Sequence, residues 1–293
     1  MSKSAYVALV TCFNDNETIN YDAIRTQVRR QVKAGNHILC AGTNGDFSAL
    51  TFEEKVKLTE VVVNESAGQV KVMVNAGMPG TYETVKLARE LDQIGVDGIA
   101  AITPFFIDCT QSSLERHFLT LADAVQTPTY LYDIPARTQN HIEPETARKL
   151  AQHGNIAGIK DSGGSKETLE HYLHVGQAIP EFDVYSGPDH LVLWAMQKGA
   201  AGCISGLGNV LPDVLAGIVK AFNEGNAVEA QKGQDVYTAF RSDLYALGFP
   251  PAMVKRALYL MDPTVGASRQ PALLPAPEQD KQILNILKKY NRV

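Results

Sequence analysis

The chain has 293 residues, of which 45% are hydrophobic and 20% charged, and carries a formal net charge of -5. That is the composition of a globular enzyme with a substantial core, and the length accommodates one (β/α)8 barrel of roughly 250 residues without a linker. A negative balance with no basic stripe argues against a nucleic-acid partner, no apolar run reaches transmembrane length, and with no signal-like segment the cytoplasm is the expected compartment.

Strand-like and helix-like runs alternate along the chain. The pattern predicts strands over residues 6–13, 37–42, 71–77, 98–103, 129–134, 156–160, 183–186 and 202–205. Between and after them it predicts helices over 21–34, from Thr51 onward, over 81–94, 111–125, 144–153, 165–178, 189–198 and 212–223. Thr51-Phe52-Glu53-Glu54 supplies a hydroxyl cap followed by early acids. Eight such units predict an α/β fold, a (β/α)8 TIM barrel over residues 1–226. Helical periodicity in 228–247, 251–261 and 278–290 predicts a C-terminal helical appendage over 227–293, with prolines clustered around 268–277. An open doubly wound sheet would show a Gly-rich turn after the first strand, and Cys12-Phe13-Asn14-Asp15 is not one.

Four cysteines, Cys12, Cys40, Cys109 and Cys203, stand far apart, and three lie in apolar runs as small buried hydrophobes would. The seven histidines contain no close ligand pair, so no metal is expected; no cofactor is expected either.

Barrel enzymes carry their reacting groups where strands end. Lys160 is the last residue of the sixth strand, before Asp161-Ser162-Gly163-Gly164. A lysine at the mouth of an apolar run loses hydration, and its free amine attacks ketones; the alternative is a lysine whose stem packs while its head reaches solvent. The second strand ends in Gly42-Thr43-Asn44-Gly45-Asp46, a turn that suits a carboxylate cradle or a plain connection. The fifth ends in Tyr132-Asp133-Ile134-Pro135, with Arg137 beyond it at the rim. The seventh ends in Ser186-Gly187-Pro188-Asp189 and the eighth in Ile204-Ser205-Gly206, where small residues and backbone donors face a ligand or pack a helix.

Together these residues resemble the dihydrodipicolinate synthase and N-acetylneuraminate lyase family of Schiff-base barrels. Gly42-Thr43-Asn44-Gly45-Asp46 resembles the family turn G-[ST]-x-G-E, Tyr132-Asp133-Ile134-Pro135 resembles Y-N-x-P, and Gly158-Ile159-Lys160-Asp161 resembles G-x-K-[DE]. The resemblance implies catalytic roles for Lys160 as the imine-forming lysine, Tyr132 as the proton shuttle and Thr43, which with Asn44 holds the pyruvoyl carboxylate. It also implies substrate contacts from Asn44, Arg137, Ser186, Gly187, Asp189, Ile204 and Ser205. Pyruvate or a 2-oxo acid is the implied substrate, and a homodimer or homotetramer the implied assembly.

Thr103-Pro104-Phe105-Phe106 aligns with the family segment T-P-Y-Y, whose second tyrosine in the synthase reaches a neighbouring subunit's site. Phenylalanine at 106 cannot carry a proton. With Asp46, Phe47 and the sequence Lys160-Asp161-Ser162-Gly163-Gly164, the wording is more similar to the 2-keto-3-deoxy sugar-acid and 4-hydroxy-2-oxoglutarate aldolases. The expected activity is therefore a pyruvate-forming lyase on such acids. The alternatives are dihydrodipicolinate synthase, then N-acetylneuraminate lyase, and a catalytically silent binding protein on the same barrel.

Overall fold

The computed structural model describes residues 2–272 and 275–293. Its strands are β1 (Ser4–Ala8), β2 (His37–Cys40), β3 (Val72–Asn75), β4 (Gly98–Ile102), β5 (Thr129–Asp133), β6 (Ile156–Asp161), β7 (Asp183–Ser186) and β8 (Gly202–Ser205). They follow one another in chain order as a closed parallel barrel, as the alternating pattern predicts.

The helices begin and end where local chemistry dictates. The first, α1 (Tyr21–Ala34), is capped by Asn20, whose side chain accepts from the Ala23 N–H, and closed by Gly35 at a φ of 80°. In α2 (Phe52–Ser66) the expected cap is a full capping box: Thr51 accepts from Glu54 N–H while the Glu54 carboxylate accepts from Thr51 N–H. There follow α3 (Thr81–Ile94), α4 (Gln111–Ala122), α5 (Pro135–Thr138), α6 (Pro144–Leu150), α7 (Lys166–Ala178), α8 (Val192–Gln197) and α9 (Pro212–Asn223). The C-terminal helices are α10 (Ala227–Tyr245), α11 (Pro250–Met261) and α12 (Gln279–Lys289).

Three elements differ most from expectation, and β6 runs one residue past Lys160, to Asp161. The first strand leaves its ladder after Ala8, because Val10 N–H turns to the Asn209 side-chain amide oxygen and Phe13 N–H to the Val265 carbonyl; the run stays buried to Phe13, so its apolar pattern hides the end of the strand. The helix expected over 189–198 is a 3-10 turn (Asp189–Leu191) followed by α8. The four-residue α5 was not expected; Pro135 starts it with its φ already set for a helix. Within the proline-bearing stretch 268–277, residues 273 and 274 lie outside the described residues.

The chain divides into two compact units, one of Lys71–Ile204 with the residues up to Ser4, the other of Ala5–Val70 with Ser205–Val293. The first holds β3 to β7 with α3 to α8, around core residues such as Ile99, Leu131, Ile159 and Val184. The second holds α1, α2 and α9 to α12, with α10 packed on α9 and α12 on α10 and α11. The boundary expected at residue 226 falls in the turn between α9 and α10. Among the described residues no helix is long and apolar enough to cross a membrane.

Candidate active site

Successive side chains of a strand point to opposite faces, so the register decides which residues share one. Tyr132 of β5 is in register with Lys160 of β6, and Lys160 with Tyr185 of β7; one residue further, Asp133 is in register with Asp161 and Asp161 with Ser186. Lys160 and Tyr132 therefore stand side by side. Lys160 is 4% exposed, and its Nζ lies 4.0 Å from the centroid of the buried Tyr132 ring. Among the described residues no carboxylate forms an ion pair with it. The ring face packs against the nitrogen without fixing it to a carboxylate. Gly158, two residues earlier on the same face, keeps β6 close to β7: a Cβ there would lie 2.2 Å from the Asp183 carbonyl oxygen.

The opposite face of β5 and β6 carries two fully buried carboxylates. Asp133 accepts from Ile142 N–H at 3.0 Å and from the Tyr172 hydroxyl at 3.0 Å, and pairs with His141 Nδ1 at 2.8 Å. Asp161 accepts from Gly163 N–H at 2.7 Å and from the Thr168 hydroxyl at 3.2 Å. Burial, reinforced by the Asp133 charge, pushes Asp161 up to about 6, against the pull of Gly163 N–H. The hydrogen bond to Asp133 raises His141, and burial with the two carboxylates raises Tyr172.

The other candidates of this unit fall into distinct settings. Arg137 lies exposed on α5. The Ser186 hydroxyl is buried on the Asp161 side of the strand alternation, 3.4 Å from the Pro188 carbonyl. Gly187 N–H donates to the Asp161 carbonyl at 2.7 Å, and a Cβ at Gly187 would lie 2.2 Å from Ser162 Oγ, so this glycine lets the β7 end close on the β6 end. Asp189 is 5% exposed and opens the 3-10 turn, whose cap is Pro188. Ile204 is 2% exposed near the end of β8. Phe106 is 92% exposed at a φ of 79°, on a loop held from inside by Asn140. The Asn140 amide donates to Pro104 and Ile107 carbonyls at 2.8 and 2.9 Å and accepts from Cys109 N–H at 2.7 Å.

In the second unit Thr43 and Asn44 are half-buried on the 3-10 turn Thr43–Gly45. That turn is fixed from several sides. Thr11 Oγ1 donates to the Gly45 carbonyl at 2.6 Å, and the Asn44 amide packs against Gly206, where a Cβ would meet it at 2.6 Å. Asp46 takes a left-handed φ of 53°, and its carboxylate pairs with Lys255 of α11 at 3.2 Å. Lys255 is 3% exposed, donates also to the Thr11 carbonyl and lies 4.8 Å over the Phe13 ring. Burial lowers its pKa and Asp46 opposes that shift. The Ser205 hydroxyl is 2.5 Å from the Tyr237 hydroxyl of α10 and accepts from Gly208 N–H at 3.1 Å.

Neither Lys255 nor the roles of Asp133, Asp161 and His141 were expected from the sequence. A lysine set in the apolar run Ala252-Met253-Val254-Lys255 was a usable signal, as was the Asp that follows each of Tyr132 and Lys160. Cys12 and Cys40 are buried thiols pushed up to about 12 by desolvation, and Cys203 is raised too, which leaves them as packing residues. Among the described residues no three His, Cys, Asp or Glu side chains group as a metal site.

Comparison with known proteins matches residues 1–290 to the dihydrodipicolinate synthetase family. The chain is 33% identical over 295 residues, covering all of both chains, to a 4-hydroxy-tetrahydrodipicolinate synthase of Geobacter sulfurreducens. It superposes on dihydrodipicolinate synthase from Aquifex aeolicus with a TM-score of 0.91, 31% identity and coverage of 99% and 98%. A prophage protein of the same family from E. coli K12, in complex with pyruvate, gives a TM-score of 0.93 at 26% identity over 99% of both chains.

Proposed function

The chain belongs to the dihydrodipicolinate synthetase family of pyruvate-dependent Schiff-base enzymes, and on that premise we propose that it cleaves a 2-keto-3-deoxy or 4-hydroxy-2-oxo acid to pyruvate and an aldehyde. The observation that carries the reading is Lys160, buried at a strand end beside the Tyr132 ring with no ion-pair partner among the described residues. Its amine adds to the keto carbon, and loss of water gives a protonated imine. Removal of the C4 hydroxyl proton breaks the C3–C4 bond. The electron pair passes into the imine, the aldehyde departs, and the enamine takes a proton at C3 before water releases pyruvate. Tyr132 moves these protons. The motif assigns the substrate carboxylate to Thr43 and Asn44, and Arg137 a second anionic group; a homo-oligomer is the assembly proposed.

A second reading, condensation of pyruvate with aspartate semialdehyde, is supported by the synthases among the relatives. Phe106 supports cleavage instead, because it offers no hydroxyl to a proton relay. Screening 2-keto-3-deoxy acids for pyruvate release, beside a condensation assay, decides between them. Condensation at a high rate with no release from any such acid would overturn the lyase reading.

A further inference from the structure

Asp133 and Asp161 pose a problem that the imine chemistry does not answer. Two carboxylates, each fully buried, occupy neighbouring register positions directly after Tyr132 and Lys160. Placing like charges side by side in a desolvated wall is costly, and a barrel normally fills that layer with aliphatic side chains. The groups facing Asp161 are Asp133 from β5, His141 from the loop beyond α5, Thr168 and Tyr172 from α7, and the neutral Ser186 from β7. Glu143 acts in turn on His141, the cation of the cluster, whose side chain is 38% exposed and so meets solvent.

Asp161 also does something local. Its two oxygens hold Gly163 N–H and the Thr168 hydroxyl, and its own carbonyl accepts from Gly187 N–H. Those bonds fix the chain in the turn that follows Lys160. On protonation one oxygen becomes a donor and the carboxyl a weaker acceptor for Thr168, which already has an alternative acceptor in the Ser165 carbonyl at 3.2 Å.

We propose that Asp161, as a carboxylate, positions the strand end that carries Lys160, and that Asp133 and His141 set the pH below which it stops doing so. The inference rests on the imine reading of Lys160. Asp161 is a positioning residue, since its side chain lies on the face opposite the lysine. The raised value of Asp161 places the change near pH 6. Its neighbours then act with opposite signs. Removing the Asp133 charge eases ionisation of Asp161, whereas removing the His141 charge or the Thr168 hydroxyl hinders it.

The test is the pH dependence of pyruvate capture at Lys160, read by cyanoborohydride trapping and mass analysis of the full chain. Asp133→Asn is expected to move the acid midpoint down, and His141→Gln and Thr168→Val to move it up, each by about one pH unit. In an Asp161→Asn background these shifts should vanish. Stability supplies a second readout. A folded pKa above the unfolded one contributes stability below about pH 4 that is lost as pH rises through about 6. Asp161→Asn should therefore slow capture roughly 10-fold at pH 7.5 without lowering Tm there, whereas a purely structural carboxylate predicts a lower Tm. Capture whose midpoint ignores all three neighbours, or shifts equally with Asn at 161, overturns this inference alone. An unaltered protein that captures no pyruvate at any pH overturns the imine reading and this inference with it.

Discussion

Two buried lysines, one in each compact unit, show what burial does and does not provide. Lys160 and Lys255 are almost equally hidden, at 4% and 3% exposure, and each lies over an aromatic ring, at 4.0 and 4.8 Å. Lys255 donates to the Thr11 carbonyl and pairs with Asp46, so its ammonium is held as a fixed charge that ties α11 to the turn carrying Thr43 and Asn44. Lys160 has no carboxylate partner among the described residues. Its own carboxylate neighbours, Asp133 and Asp161, occupy the other face of the strands. Hydrogen bonding and charge pairing, rather than exposure, separate a structural lysine from one available for covalent chemistry.

The comparison breaks most sharply under exchange of roles. Lys160→Ala is expected to abolish turnover and borohydride trapping of pyruvate while leaving circular dichroism and Tm near those of the unaltered protein. Trapping at another lysine of that variant would remove the assignment. Lys255→Met should do the reverse: it strands Asp46 and costs about 3–5 kcal/mol in denaturant unfolding, while the protein that remains folded still captures pyruvate at Lys160. Loss of capture by well-folded Lys255→Met protein would make the two lysines functionally alike.

Next in size is Tyr132→Phe, which keeps the ring under Lys160 and removes only the hydroxyl. A rate loss of roughly 10²- to 10⁴-fold, with imine trapping at least partly retained, marks the loss of a general acid-base group. An unchanged rate with the natural substrate shows that the proton travels elsewhere. Phe106→Tyr is expected to have the smallest effect on activity, leaving cleavage within a few-fold because the new hydroxyl meets no proton in transit. If condensation of pyruvate with aspartate semialdehyde instead rises markedly, the synthase reading gains. For stability, Thr51→Ala removes the α2 capping box and should cost about 1 kcal/mol with pyruvate capture unchanged.

Much of the barrel was legible from local pattern. The period switch between strand and helix located all eight strands, and cap chemistry at Thr51 marked the start of α2. The position of Lys160 near a strand end is likewise local, although β6 runs one residue further, to Asp161. Strand ends were less legible where burial outlasts the ladder, as between Leu9 and Phe13, since apolar runs record burial and not hydrogen bonding.

The tertiary structure alone decided which residues meet. Inter-strand register set Tyr132 beside Lys160 and brought Asp133 next to Asp161 behind them, and no single strand's sequence contains a register. It engaged Ser205, expected to face substrate, with Tyr237 of α10, and set Asp189, expected to contact substrate, as the first residue of a buried turn. It also joined Asp46 to Lys255 across 209 residues of chain. Periodicity reports the face a residue presents; the partner on that face is fixed only when distant segments pack and their buried charges must find one another.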